Sequence, residues 1–225
     1  MLGWAGLSTA GPQPEAMAAL ASTDEVEVST DKWLVFAPKH TTPSTGFIFY
    51  PGGLVDPSAY APLAQAIAAE GYLVAIVPMP LNLAVFGSGK ATDVIESFPE
   101  IDTWAIGGHS LGGAMASRYV YQNPTQVAGL ALWAAFPPEG NDLSPRDLAA
   151  TSIYGTLDGL VSTEEIESSR MRLPADTQFR AIEGGNHAQF GWYGPQKGDL
   201  PATISHSDQQ AHIVDGTVAL LEQKH

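Results

Sequence analysis

Gly108-His109-Ser110-Leu111-Gly112 is a G-x-S-x-G pentapeptide set between an apolar run, Trp104-Ala105-Ile106, and a helix-period segment that begins near Gly112. In that context a serine can serve as a nucleophile. A strand turns sharply into a helix, glycines keep side chains out of the bend, and the hydroxyl stands at its tip. The positive end of the helix dipole lies beneath it, and Gly113, Ala114 and Ala116 are small enough for close packing on a sheet. A serine hydroxyl reacts only when a base takes its proton, and the base needs an orienting carboxylate. After such a turn the acid and then the histidine follow in chain order.

Asp158, in YGTLDGLVS, follows the strand-like TSIY and precedes a capped helix. Other acids are worse placed. Asp142 and Asp147 fall in a polar connection, Asp176 precedes a strand, and Glu164 and Glu165 read as helix-start residues. His187, in IEGGNHAQFGWYG, directly follows the last strand-like run, and Gly184 and Gly185 free its loop to fold back over Ser110. His206, His212 and His225 belong to the C-terminal helix or tail, while His40 and His109 precede the serine. The candidate set is therefore Ser110, Asp158 and His187. Acyl transfer also needs two backbone N–H groups aimed at the developing oxyanion. Leu111 supplies one, and the loop Pro51-Gly52-Gly53-Leu54 supplies the other. Pro51 has no N–H, so Gly53 is favoured, with Leu54 as the fallback.

The elements that must hold these groups alternate between short apolar runs and helical periods. Strands are expected at residues 46–50 (GFIFY), 72–77 (YLVAIV), 104–106, 127–134 (VAGLALWA), 151–154 and 179–182. Continuous apolar runs of this length suit strands buried on both faces. Helices are expected at residues 57–70, 92–98, 112–122 and 209–221, and from Ser162 to about Arg172, where Ser162 and Glu165 form a capping box. Residues 26–28 and 33–36 read as an antiparallel edge pair joined by a turn. This order predicts an α/β fold, with a mostly parallel sheet and helices on both faces. Residues 1–22 read as an N-terminal arm, or as the stub of a removed anchor, and residues 23–225 as one domain.

Composition narrows the function classes. With 24 acidic and 10 basic residues the net charge is −14, and no basic cluster exists to replace phosphate counterions. Nucleic acid and anionic membrane are therefore poor partners, and the expected partner is a small molecule. The chain has no cysteine, which removes thiol catalysis and thiolate metal sites. Its His and Asp residues lack ligand spacing, so no metal is expected. Gly87-Ser88-Gly89-Lys90 fails as a phosphate loop, because Ala84 and Ala91 stand where a glycine and a hydroxyl residue are needed. No apolar run is long enough to span a membrane.

IFYPGGLVDPSAYAPLA, YLVAIVPMP, IGGHSLGGAMA, YGTLDGLV and GGNHAQFGWYG together make the chain resemble α/β-hydrolases over roughly residues 30–221. More narrowly it resembles small bacterial dienelactone-hydrolase-like and carboxylesterase-like members. The resemblance implies a sheet of at most eight strands, a Ser110–Asp158–His187 triad and ester hydrolysis through an acyl-enzyme, with no cofactor. Some members carry an outward-facing N-terminal anchor, which would place such a protein outside the cytoplasm. Serine replaces the cysteine of dienelactone hydrolases, which argues against that reaction. Only FPPEGNDLSPRDLAA stands where many lipases insert a helical cap. An open site is expected, walled by Leu54, Val55, Phe86, Phe136, Phe190 and Trp192. An amidase, peptidase or acyltransferase using the same triad, and a non-catalytic binding protein, remain the alternatives.

Overall fold

The computed structural model describes residues 9–223. Residues 1–8 of the expected arm lie outside the described residues, as does His225. Within the described part of the arm a short helix, α1 (Pro14–Ala18), precedes the sheet. Eight strands follow in chain order: β1 (Val26–Ser29), β2 (Leu34–Pro38), β3 (Thr45–Tyr50), β4 (Leu73–Ile76), β5 (Thr103–His109), β6 (Gly129–Trp133), β7 (Ala149–Gly155) and β8 (Gln178–Ile182). They form one sheet in the order β1-β2-β4-β3-β5-β6-β7-β8. The first hairpin and the β2–β4 pair are antiparallel, and all the other pairs are parallel. β1 and β8 are the edges.

The central strands alternate between two apolar layers. Phe47 and Phe49 join Trp133 and Ile153 on one face, under α2 (Ala61–Ala69) and α6 (His206–Leu221). Ile48 and Tyr50 join Ile106, Leu130 and Leu132 on the other, under α3 (Ala91–Ser97) and α4 (Leu111–Gln122). Burial on both faces is why these strands read as unbroken apolar runs. α5 (Thr163–Ser169) carries the expected capping box, with Ser162 accepting from the Glu165 N–H. No helix among the described residues is long and apolar enough to cross a membrane.

Two helices differ from expectation. The segment expected as one helix over residues 57–70 is a 3-10 turn, Pro57–Tyr60, followed by α2. Pro62 lacks the N–H that would continue an α-helical ladder across the junction, and the Ala61 N–H instead closes the turn on the Ser58 carbonyl. Likewise α5 ends at Ser169, and residues 170–172 form a 3-10 turn. The connection between β6 and β7 contains no helix, so no helical cap is inserted there.

Strand order reverses about β3. The chain leaves β3 for β4 on one side and returns to β5 on the other, and a crevice opens beyond the carboxyl ends of strands at such a switch point. α4 begins directly there. A Cβ added at Gly112 would stand 2.1 Å from the Tyr50 carbonyl oxygen, so helix and strand touch with no room for a side chain. Gly112→Ala is expected to destabilise the protein by about 1–3 kcal/mol through forced displacement. Urea unfolding checks this, and an unchanged midpoint would show that the contact relaxes freely.

Candidate active site

Ser110 occupies the junction of β5 and α4 with φ 52° and ψ −121°, a left-handed conformation that a residue with a side chain adopts only under constraint. The constraint is visible on both sides. The Ser110 N–H donates to the Trp133 carbonyl at 2.9 Å, and its own carbonyl accepts the Ala114 N–H at 3.1 Å. Gly108 and Gly112 pack against each other, since a Cβ on Gly108 would lie 2.5 Å from the Gly112 carbonyl carbon. Leu111 is the first residue of α4, where the N–H has no acceptor within the helix.

Asp158 follows β7 and His187 follows β8, so both loops open at the same end of the sheet as Ser110. Asp158 Oδ2 lies 2.8 Å from His187 Nδ1, with each side chain 1% exposed. Asp158 Oδ1 accepts the N–H groups of Leu160 (2.8 Å) and Val161 (2.7 Å), which fixes the carboxylate in its turn. A carboxylate only accepts, so in this contact the imidazole donates through Nδ1. The His187 ring stands 4.4 Å from that of His109, the residue before Ser110. Among the described residues Ser110 Oγ has no hydrogen-bond partner. Such contacts commonly tighten only with substrate.

A second carboxylate holds the histidine loop, and sequence reasoning passed over it. Asp199 Oδ1 accepts from Gly159 (3.0 Å) and His187 (3.2 Å), and Oδ2 accepts from Ala188 (2.8 Å). It thereby ties the Asp158 turn to the His187 loop. Buried Gln209, on α6, accepts the Asn186 N–H at 3.0 Å and donates to the Asn186 carbonyl at 2.7 Å. Asp199 follows the histidine in the chain, whereas the acid of such a site precedes it, and a helix glutamine carries no sequence signal for this task.

In the loop after β3 the Leu54 N–H donates to the Asn82 carbonyl at 2.7 Å, so the fallback donor is already engaged within the protein. The Gly53 N–H has no acceptor among the described residues. Gly53 also abuts Leu111, whose Cδ2 would lie 3.1 Å from an added Cβ. The Gly52 N–H donates to the Tyr60 hydroxyl at 3.0 Å, and that hydroxyl lies 2.9 Å from His109 Nδ1. A Cβ at Gly52 would press on both groups at 2.8 Å.

The expected walls are only partly where they were placed. Leu54 and Val55 line a cavity of about 200 Å³ beside Gly53. Phe190 does not form a wall: it is fully buried, stacked on His109 at 5.4 Å, because the loop turns its ring into the core. Trp192 stacks instead on His206 at 3.8 Å, packing the loop onto α6. Phe86 is 61% exposed on a 3-10 turn, and Phe136 is half-buried past β6. Neither lines this cavity or a larger one of about 390 Å³ behind the His187 loop, which is lined by Asn186, Ala188 and Asp199 among others.

A serine at the β5–α4 turn, a buried His–Asp pair and this strand order occur together in the chain. Residues 46–211 match the model of the alpha/beta hydrolase family, and the chain belongs to that family. Among solved structures it is similar to the esterase domain of a Rhodothermus marinus protein, at 15% identity and a TM-score of 0.63. That match covers 83% of this chain and 90% of the other. It is also similar to a structure reported for LipS and LipT, two metagenome-derived lipolytic enzymes, at 15% identity and a TM-score of 0.62. Here 82% of this chain and 96% of the other are covered. No curated protein matches the chain in sequence.

His109 gives the site a pH signature. Burial, reinforced by the neighbouring His187, holds its pKa well below the ordinary value near 6.5. The native imidazole therefore stays neutral where the unfolded one takes up a proton. Its stabilisation is complete above about pH 6.5 and is lost as pH falls toward the native pKa. Burial shifts half-buried His206 in the same direction. Thermal midpoints are expected to be flat above pH 7 and to fall below about 6.5, with His109 contributing up to about 1.4 kcal/mol per pH unit and the more exposed, solvent-screened His206 less. His109→Gln should remove part of that slope, leaving the share of His206. Identical slopes in the two proteins would contradict this account.

Proposed function

We propose that the chain is a serine esterase that cleaves carboxylic esters through an acyl-enzyme on Ser110. The buried Asp158–His187 hydrogen bond carries this reading, because it leaves Nε2 as a free base at the end of the sheet where Ser110 lies. The esterase domain and the lipolytic enzymes among its structural neighbours lend further support.

The Ser110 hydroxyl attacks the ester carbonyl as His187 Nε2 takes its proton, and Asp158 stabilises the imidazolium without being protonated itself. The carbonyl oxygen becomes an oxyanion held by the N–H groups of Gly53 and Leu111. Neither donor has a protein acceptor among the described residues, so both are available without reorganisation. His187 returns the proton to the departing alkoxide, and the alcohol leaves. Water then enters, His187 deprotonates it, and the second tetrahedral intermediate collapses to release the acid and restore Ser110. In this scheme Asp199 and Gln209 are positioning residues, acting on the base through the backbone of its loop.

Hydrolysis of p-nitrophenyl esters at neutral pH tests the scheme directly. Wild-type protein is expected to turn over short esters, and Ser110→Ala to lose roughly 10³-fold or more in kcat. His187→Ala should lose a comparable factor. Turnover that survives Ser110→Ala would remove the proposed mechanism.

A further inference from the structure

A peptide bond between two glycines has no side chain to restrict it, so the direction of its N–H must be fixed from outside. The Gly52–Gly53 peptide is of this kind, and it carries the N–H that the esterase reading assigns to the oxyanion. The groups around it are engaged. The Gly52 carbonyl accepts the Val55 N–H at 3.3 Å, and because a trans peptide is planar the Gly53 N–H points the opposite way. The Leu54 N–H goes to Asn82, and the Gly52 N–H goes to the Tyr60 hydroxyl at 3.0 Å. Of these bonds the last alone leads on to the serine turn. Tyr60 Oη lies 2.9 Å from Nδ1 of His109, the residue before Ser110. Burial holds the imidazole neutral and keeps the phenol protonated, so Nδ1 can accept and the hydroxyl has one proton to give. The hydroxyl oxygen receives the Gly52 N–H, and its proton has no other acceptor among the described residues, which directs it to Nδ1. Both bonds are buried, where a bond left unmade is costly. Tyr60 packs on Phe49 at 4.9 Å and the His109 ring on Phe190 at 5.4 Å, so both side chains are held from behind.

We propose that Tyr60 and His109 are positioning residues for the oxyanion: their hydrogen bond fixes the loop that carries the Gly53 N–H relative to the turn that carries the Leu111 N–H. The inference rests on the esterase reading and deepens it by assigning a task to two residues outside the triad. Neither side chain touches substrate in this role. Two donors from separate parts of the chain stabilise one oxygen only when their mutual placement is set beforehand, because preorganised donors need not move as charge develops. Tyr60→Phe keeps the ring, removes one oxygen, and leaves the Gly52 N–H and His109 Nδ1 without their partner. The Gly52–Gly53 peptide then loses its tie to the serine turn, and glycine on both sides offers little resistance to rotation. Acylation and deacylation both pass through an oxyanion, so both steps slow together. Equal slowing lowers kcat and leaves KM where it was.

The test compares the full-length wild type, Tyr60→Phe and His109→Leu on p-nitrophenyl acetate, with trifluoroacetone as an inhibitor whose adduct on a serine carries an oxyanion. Outright loss of one oxyanion donor costs about 10²–10³ in rate, so a misdirected donor is expected to cost Tyr60→Phe about 10- to 100-fold in kcat. KM should stay within about twofold, and the trifluoroacetone inhibition constant should rise by roughly the factor lost in kcat. Partial unfolding would lower kcat by removing active molecules, yet leave KM and the inhibition constant of the remainder unchanged. His109→Leu breaks the same bond from its other end and should match Tyr60→Phe, and the double variant should lose little more than either single one. His109→Asn keeps an acceptor near the place of Nδ1 and should hold kcat within about threefold of wild type. If Tyr60→Phe does not fold, His109→Leu set against His109→Asn gives the same decision. Wild-type kcat in Tyr60→Phe, or a lower kcat with an unchanged inhibition constant, overturns the positioning role and leaves the esterase reading standing. Ester turnover by wild type that does not depend on Ser110, or no turnover at all, overturns both.

Discussion

The first turn of α4 lies against the carboxyl end of β3 with no space for a side chain between them, and the candidate site is built outward from that contact. Gly112 makes the approach possible. Because helix and strand meet there, the bend that leads into the helix is too tight for ordinary backbone, and Ser110 takes φ 52°. The same approach sets the Leu111 side chain beside Gly53, bringing together residues from distant parts of the chain. A site of this kind is preorganised by packing, with its strain balanced by the core beneath it.

Much of this was legible in the sequence, for a physical reason. Strands buried on both faces must be apolar at every position, so β3, β4, β5 and β6 announced themselves as short unbroken runs. The serine turn was legible because its glycines are required by contact, and Asp158 and His187 because each directly follows a strand. The helix over residues 57–70 was over-extended even though Pro62 was in plain view. A proline near a helix start is usually read as favourable, and here it marks the break between two kinds of turn.

What sequence could not supply were the long-range brackets. Asp199 and Gln209 act on the His187 loop through backbone groups, and nothing in their types or spacing distinguishes them from surface residues. The aromatic residues after His187 show the converse error. Phe190 and Trp192 follow a candidate base in an open loop and read as walls, yet tertiary packing turns one into the core and the other onto α6. An aromatic in a loop has two apolar environments open to it, and only the fold decides between them.

The edges of the sheet are as selective as its centre. β8 lies at one margin with Gln178, Arg180 and Ala181 turned to solvent, and the Arg170 guanidinium lies 3.7 Å over the Phe179 ring. β1 forms the other margin, only four residues long and interrupted by an exposed Glu27. Both borders are short, and each carries a charged side chain where another strand would have to dock. A sheet with so apolar an interior would otherwise offer a template for fibrillar self-association, and these margins deny it one.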